Sequence, residues 1–324
     1  MGISLNEYFS LSIKQLGKVI KEQVLETSRT CKDITIEKGF ATGAGDSLAV
    51  ALITQYLSKL RIVSLDPISL SNVMESNTRP DTSLILISYK GRTRSVIELV
   101  KKALRLNLKT VVVTSNMNSP LAKLGRYVVH VIRVREEFPV GIKSFIAMLT
   151  SLLTVIKLLN VDIVNDLTNY VESITNINVS IEKPRNEGKI NDVVIIGSGV
   201  GLGVAYYICL KIFETLCMPC RVLPFEELLH AGIFSVRNGS LIMAFMGEED
   251  MRKYEGHVLE LLMRKNIARV NVVGEEDDLK STFKYIIAGL KIIQELIEIH
   301  AQEKPCFLYD VEALKVLTPL IYLM

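Results

Sequence analysis

Lys211, Glu214 and His230 have the types and spacing for acid–base chemistry. Lys211 and Glu214 stand three residues apart within 204–217, a stretch apolar on nearly every face that predicts a buried helix. Lysine and glutamate are seldom fully buried unless they are paired. Such a pair, followed by a short predicted strand over 221–225 and then His230, points to proton transfer in a cleft. A carboxylate in apolar surroundings has its pKa raised toward working pH and can carry a proton between adjacent carbons. A neighbouring cation can stabilise the oxyanion character that develops. The bland alternative is an ion pair that supports the helix, with a histidine that caps a helix or packs at an interface.

A second group lies in the first half, where Ser88, Tyr89, Lys90, Gly91, Arg92 and Thr93 leave a predicted strand and enter a predicted helix. Ser88, Thr93 and the amides of the helix N-terminus can all donate to an anion, and Lys90 and Arg92 add positive charge. Ser47 closes the loop that also holds Gly43, Gly45 and Asp46, and from a neighbouring helix it can reach the same anion. A plain strand–helix turn with Thr93 as N-cap is the alternative. The corresponding place in the second half reads Glu248, Glu249, Asp250, three carboxylates that would repel a phosphate. The glycines at 197, 199, 201 and 203 resemble a dinucleotide loop, but Leu202 stands where that fingerprint needs glycine.

The elements that must position these residues repeat one plan. Strands are expected over 34–41, 84–88, 110–114 and 128–134, and again over 192–196, 241–245 and 270–273. Amphipathic helices alternate with them, at 48–60, 93–106, 141–159, 251–265 and 282–299. Short apolar strands between such helices predict an α/β protein with two doubly wound parallel-sheet, flavodoxin-like domains in tandem. Residues 1–181, with an N-terminal helix, would form a phosphate-binding domain, and 190–324 a second domain with the catalytic residues and the tail. The polar stretch 182–189 reads as the linker. Ligands in such folds sit at the carboxyl ends of the strands, where both glycine loops fall.

Bulk properties narrow the function classes. The chain has 324 residues, 49% apolar and 23% charged, with a net charge of +3. That charge, without a basic tail, argues against nucleic acid or a membrane as partner. The longest greasy run, 145–156, is too short to span a bilayer. Asn6, Glu7 and Lys14 interrupt any signal-peptide pattern, so a cytoplasmic location is expected, with the five cysteines reduced. The pair Cys217 and Cys220 closes a helix rather than opening one, which suits a helix end with a stop at Pro219 better than a redox or zinc motif. No set of side chains with metal-ligand spacing is visible, and neither metal nor cofactor is expected.

The loops at 43–47, 88–93 and 119–122 resemble those of sugar isomerase (SIS) domains. The segments at 210–214 and 227–230 are similar to the isomerase domain of glucosamine-6-phosphate synthase and to stand-alone glucosamine-6-phosphate deaminases. The resemblance implies a sugar-phosphate substrate with its 6-phosphate on Ser47, Ser88 and Thr93, in a site with Gly45, Asp46, Tyr89 and Lys90. It implies Glu214 as the base between C1 and C2, Lys211 beside it, and His230 opening the sugar ring from a partner subunit of a homodimer. A C-terminal lysine completes such sites, and Lys315 fits it. Tyr89 and Lys90 stand where glutamine and serine are typical, and the tail lacks the usual Pro-Arg ahead of its lysine. The implied activity is isomerisation or deamination of an amino-sugar 6-phosphate. A phosphoglucose- or phosphomannose-type isomerase and a non-catalytic sugar-phosphate regulator remain open.

Overall fold

The computed structural model describes residues 2–79, 82–182, 189–255, 257–265 and 267–323. Helices α1 (Leu5–Lys14) and α2 (Leu16–Thr30) precede β1 (Gly39–Thr42), α3 (Asp46–Leu57), β2 (Ile62–Ser64) and α4 (Pro67–Asn77). Then come β3 (Ser83–Ile87), α5 (Arg94–Arg105), β4 (Lys109–Thr114), α6 (Pro120–Leu124), β5 (Tyr127–His130), α7 (Ile142–Val155) and α8 (Val164–Ile174). The second half runs β6 (Asp192–Gly197), α9 (Val200–Leu216), β7 (Cys220–Pro224), α10 (Phe225–Glu227) and α11 (Ile233–Ser235). It continues with β8 (Ser240–Met246), α12 (Glu248–Glu255), α13 (His257–Arg264), β9 (Ala268–Val273), α14 (Asp278–Ile299) and α15 (Val311–Ile321). No helix among the described residues is long and apolar enough to cross a membrane.

Two parallel sheets result, one ordered β2-β1-β3-β4-β5 and the other β7-β6-β8-β9. The order reverses beside β1 in the first and beside β6 in the second, as in doubly wound folds. Every residue of β3 and of β8 is buried, because helices cover both faces of each sheet. In the first-half sheet, α5 turns Val96, Leu99, Val100 and Ala103 onto one face, where they meet Leu84, Leu86 and Val112. That spacing of three and four gives a helix one apolar stripe. In the second half, α9 packs against both its sheet and α14, which explains why nearly all its faces are apolar.

The chain divides into two compact units, and their membership differs from a cut at the linker. One unit is Gln15–Asn169 with Asp310–Met324, and the other is Tyr170–Tyr309 with Met1–Lys14. Of the two N-terminal helices, α2 belongs with the first half as expected, whereas α1 belongs with the second, where Gln294 on α14 donates to the Asn6 carbonyl. The tail expected in the second domain packs instead on α5. Residues 183–188 of the expected linker lie outside the described residues.

Boundaries moved for physical reasons. The strand expected over 34–41 starts only at Gly39, and β2 was not anticipated because three residues carry too little pattern. The helix expected over 251–265 is two, α12 and α13. α14 begins earlier than expected because the Asp277 carboxylate accepts from the amides of Leu279 and Lys280.

The cysteines depart most from expectation. Four of the five are bridged, Cys209 to Cys220 and Cys217 to Cys306, and Cys31 is the free one. Each bridged pair has its Cα atoms 5.6 Å apart. The reading of free thiols fails because the fold joins cysteines distant in sequence, and no local motif announces them. Closing an 89-residue separation is worth about 4–5 kcal/mol in the chain-entropy account.

The glycines at 197–203 serve close packing. A Cβ at Gly201 would stand 2.2 Å from the Phe245 carbonyl oxygen, so α9 can lie on β8 only with glycine there. Gly201→Ala is expected to cost about 2–3 kcal/mol in urea unfolding, whereas Gly247→Ala, with nothing within 4 Å of its Cβ, should stay within about 0.5 kcal/mol of wild type. Equal effects would contradict the packing role.

Candidate functional site

The loop at 88–93 follows β3 in the first-half unit. Gly91 has φ +65°, and a Cβ on it would strike the Ser119 Oγ, so the turn rests directly on the start of α6. Ser119 in turn caps α6 by accepting from the Ala122 amide at 3.2 Å. This explains why the loops at 88–93 and 119–122 occur together: one is the floor of the other. Ser88 and Thr93 are buried, with their hydroxyls 2.9 Å apart.

Thr93 occupies the N-cap position of α5, yet its side chain caps nothing. Thr93 is thus the N-cap by position but not by a side-chain bond. The mutual bond of the two hydroxyls uses one of their two protons and leaves the other for an acceptor. The first-turn amides of α5 likewise have no side-chain cap, the arrangement that favours an anion. Ser47, also buried, opens α3 behind Gly45 (φ +58°) and donates to the Met148 sulfur at 3.6 Å, a weak bond that a phosphate oxygen can replace. Asp46 lies beside Gly141, where a Cβ would come within 2.6 Å of its Oδ2.

Tyr89 and Lys90 diverge in role. The half-buried Tyr89 hydroxyl accepts from the Val134 amide at 3.1 Å and lies 3.4 Å from the Ile132 carbonyl oxygen, to which it donates. Burial pushes its pKa up, so it stays a neutral donor and acceptor. Lys90 is exposed and lines a cavity of about 320 Å³ with Tyr89, Arg92, Ser115, Asn116 and Arg133. The loop is also tied to the chain's end. Arg92 donates through Nε to the Leu323 carbonyl at 2.7 Å and accepts from the Leu323 amide, while Thr93 pairs antiparallel with Tyr322. Nothing in the sequence marked that contact.

The acid–base pair belongs to the second-half unit. Lys211 is fully buried and its Nζ donates to the Glu214 Oε2 at 2.6 Å, while Glu214 keeps a third of its side chain exposed. The ammonium also lies 5.4 Å from the centroid of the Tyr207 ring, one turn earlier on α9. A buried cation with a partly exposed carboxylate is a suitable proton-transfer pair, the cation holding the carboxylate in place. His230 lies on a π-helical turn, Leu228–Gly232, and is exposed between the exposed Leu229 and Phe234. Such turns recur at functional sites.

Lys315 is exposed on α15, in the first-half unit rather than with Glu214. Of the residues named from sequence, the structure brings Ser88 to Thr93 and Lys211 to Glu214, while Ser47 meets Met148. Sequence reasoning missed Tyr207, Met148 and the Arg92 contact, for which an aromatic one turn before a buried lysine was the one readable signal.

Residues 37–158, a stretch that includes the hydroxyl loop, match the model of the SIS domain. The chain is 25% identical over 258 residues to a glutamine–fructose-6-phosphate aminotransferase (isomerizing) from Sulfolobus acidocaldarius, over 78% of this chain and 41% of that protein. It thus spans less than half the length of that relative. Among solved structures, it superposes on a candidate phosphosugar isomerase from Clostridium difficile 630 with a TM-score of 0.76, at 15% identity over 98% of each chain. A glucosamine-6-phosphate deaminase from Thermotoga maritima gives a TM-score of 0.66, at 20% identity over 90% of this chain and 97% of that one. The chain shares the fold of these two structures.

If the loop holds an anion, Ser88→Ala and Thr93→Val should each weaken inorganic phosphate binding ten- to a hundredfold in calorimetry, with little change in melting temperature. Lost stability with unchanged phosphate affinity would restore the helix-cap reading.

Proposed function

We propose that this chain is an enzyme that isomerises or deaminates an amino-sugar 6-phosphate, taking glucosamine 6-phosphate to fructose 6-phosphate. The observation that carries the reading is the Lys211–Glu214 pair, a fully buried ammonium bonded at 2.6 Å to a carboxylate one-third exposed. An ion pair that served only stability would gain little over apolar packing in this position. The relation to aminotransferase and deaminase proteins supports the amino-sugar class.

In this reading Ser47, Ser88, Thr93 and the α5 amides take the phosphate, with Gly45 and Asp46 shaping the turn and Tyr89 and Lys90 beside it. His230 opens the ring, contributed by the partner in a homodimer, for which the exposed Leu229 and Phe234 around it speak. Glu214 then removes the C2 proton of the open aldose, giving an enediol or enolamine, and returns a proton to C1. Lys211 keeps the carboxylate oriented and balances charge as oxygen gains anionic character. For an amino sugar, protonation at C1 leaves a 2-imine, which water hydrolyses to the ketose and ammonia. Lys315 is proposed as the tail lysine that accompanies such sites. The second sheet, with its own glycine turn at Gly199 (φ +51°), is read as a second SIS domain that kept the chemistry and lost the anion loop.

Coupled assays test this. Ammonia release from glucosamine 6-phosphate, without turnover of glucose 6-phosphate, is the expected result. Glu214→Gln should lower kcat by about 10²–10⁴-fold while the melting temperature reports on the charge left buried. The opposite substrate preference would favour a phosphoglucose-type isomerase. Phosphate binding with no turnover of either sugar would favour a sensor.

A further inference from the structure

Four cysteines converge on the end of the helix that carries Lys211 and Glu214. Cys209, on α9, is bridged to Cys220 at the start of β7. Cys217, the C-cap of α9, is bridged to Cys306, which opens a short 3-10 turn packed against α9. The two anchored helix positions, 209 and 217, therefore bracket Lys211 and Glu214.

The end they hold is a weak place in a helix. Cys217 sits in the left-handed region at φ 48°, closed by one bond from its amide to the Phe213 carbonyl. Pro219 follows two residues later and can donate nothing to continue the ladder. Last turns built this way fray readily unless something outside the helix holds them. Glu214 lies in that last turn, and a shift of an ångström there would separate its carboxylate from the buried ammonium.

The bridges differ in access. Cys209 and Cys220 are 5% and 9% exposed, whereas Cys217 is exposed and Cys306 half-exposed. Accessible disulfides are the ones that thiolates reach, and buried ones are inert to exchange.

We propose that these four cysteines are positioning residues, a double clamp that holds Glu214 against Lys211, and that Cys217–Cys306 is the half a dithiol reductant can open. One thiolate of the reductant attacks a sulfur of the bridge and releases the other as a thiolate. The second thiol of the reductant then displaces the mixed disulfide. Two protein thiols and the reductant's own disulfide result, with both electrons and both protons coming from the reductant. The clamp rests on the acid–base reading only for its effect on turnover.

Its test begins with the full chain purified without reductant, denatured and treated with iodoacetamide. One alkylation before reduction and five after it are expected, from five cysteines and two bridges. Five before reduction would overturn the proposal.

Hydrogen exchange then compares oxidised protein, protein reduced with a phosphine, and Cys306→Ser. Peptides spanning 209–217 should exchange about tenfold faster in the latter two, with β6 and β8 unchanged. Equal exchange in all three would overturn the clamp, and the reduced wild type keeps the test decisive if the variant folds poorly. With glucosamine 6-phosphate, opening the bridge should lower kcat about tenfold and leave KM unchanged. An unaltered kcat would overturn the positioning role. Altered exchange with turnover absent in every state would sink the acid–base reading while leaving the clamp standing.

Discussion

The ammonium of Lys211 is fully buried, and the second-half unit is arranged around that fact. An ion taken out of water costs several kcal/mol unless a partner meets it closely. Glu214 meets it at 2.6 Å, and the Tyr207 ring lies 5.4 Å from the same nitrogen. Glu214 and Tyr207 both lie on α9 itself, so these two contacts depend on that helix staying wound to its last turn. Packing supports that. Gly201 lets the start of α9 approach β8, Gly289 on α14 lies where a Cβ would strike Ile208, and two disulfides secure the far end. Only Glu214 of the pair reaches toward solvent.

The first-half unit solves a complementary problem without buried charge. Its turn after β3 is built on the Gly91 and Ser119 contact, which leaves Thr93 facing Ser88 rather than capping α5. An uncapped helix start beside two hydroxyls is an inviting place for a phosphate, and the SIS domain match covers this turn. The Arg92 and Thr93 contacts to Leu323 and Tyr322 add the chain's end to the same loop. That gives the loop a neighbour 231 residues away in sequence, counting from Arg92 to Leu323.

How much of this was legible follows from the range of each interaction. The alternation of apolar strands and amphipathic helices is local, so the two doubly wound sheets could be read directly. The pairing of Lys211 with Glu214 is also local, three residues along a greasy helix. Ser88 and Thr93 could be named, but the choice between an N-cap and an anion donor needed the hydroxyl geometry. Long-range contacts left no trace in the pattern. Cys217 does end α9, as the sequence suggested, but its bond to Cys306, 89 residues away, left no trace, and the exchange of α1 to one unit and α15 to the other is invisible to periodicity.

The central claim is that Glu214 carries a proton between two carbons of a sugar phosphate. The most direct measurement is mass spectrometry of fructose 6-phosphate incubated with the enzyme in deuterium oxide. The account predicts one solvent deuterium at a sugar carbon per exchange event, with the gain abolished in Glu214→Gln. Deuterium uptake undiminished in Glu214→Gln would contradict it.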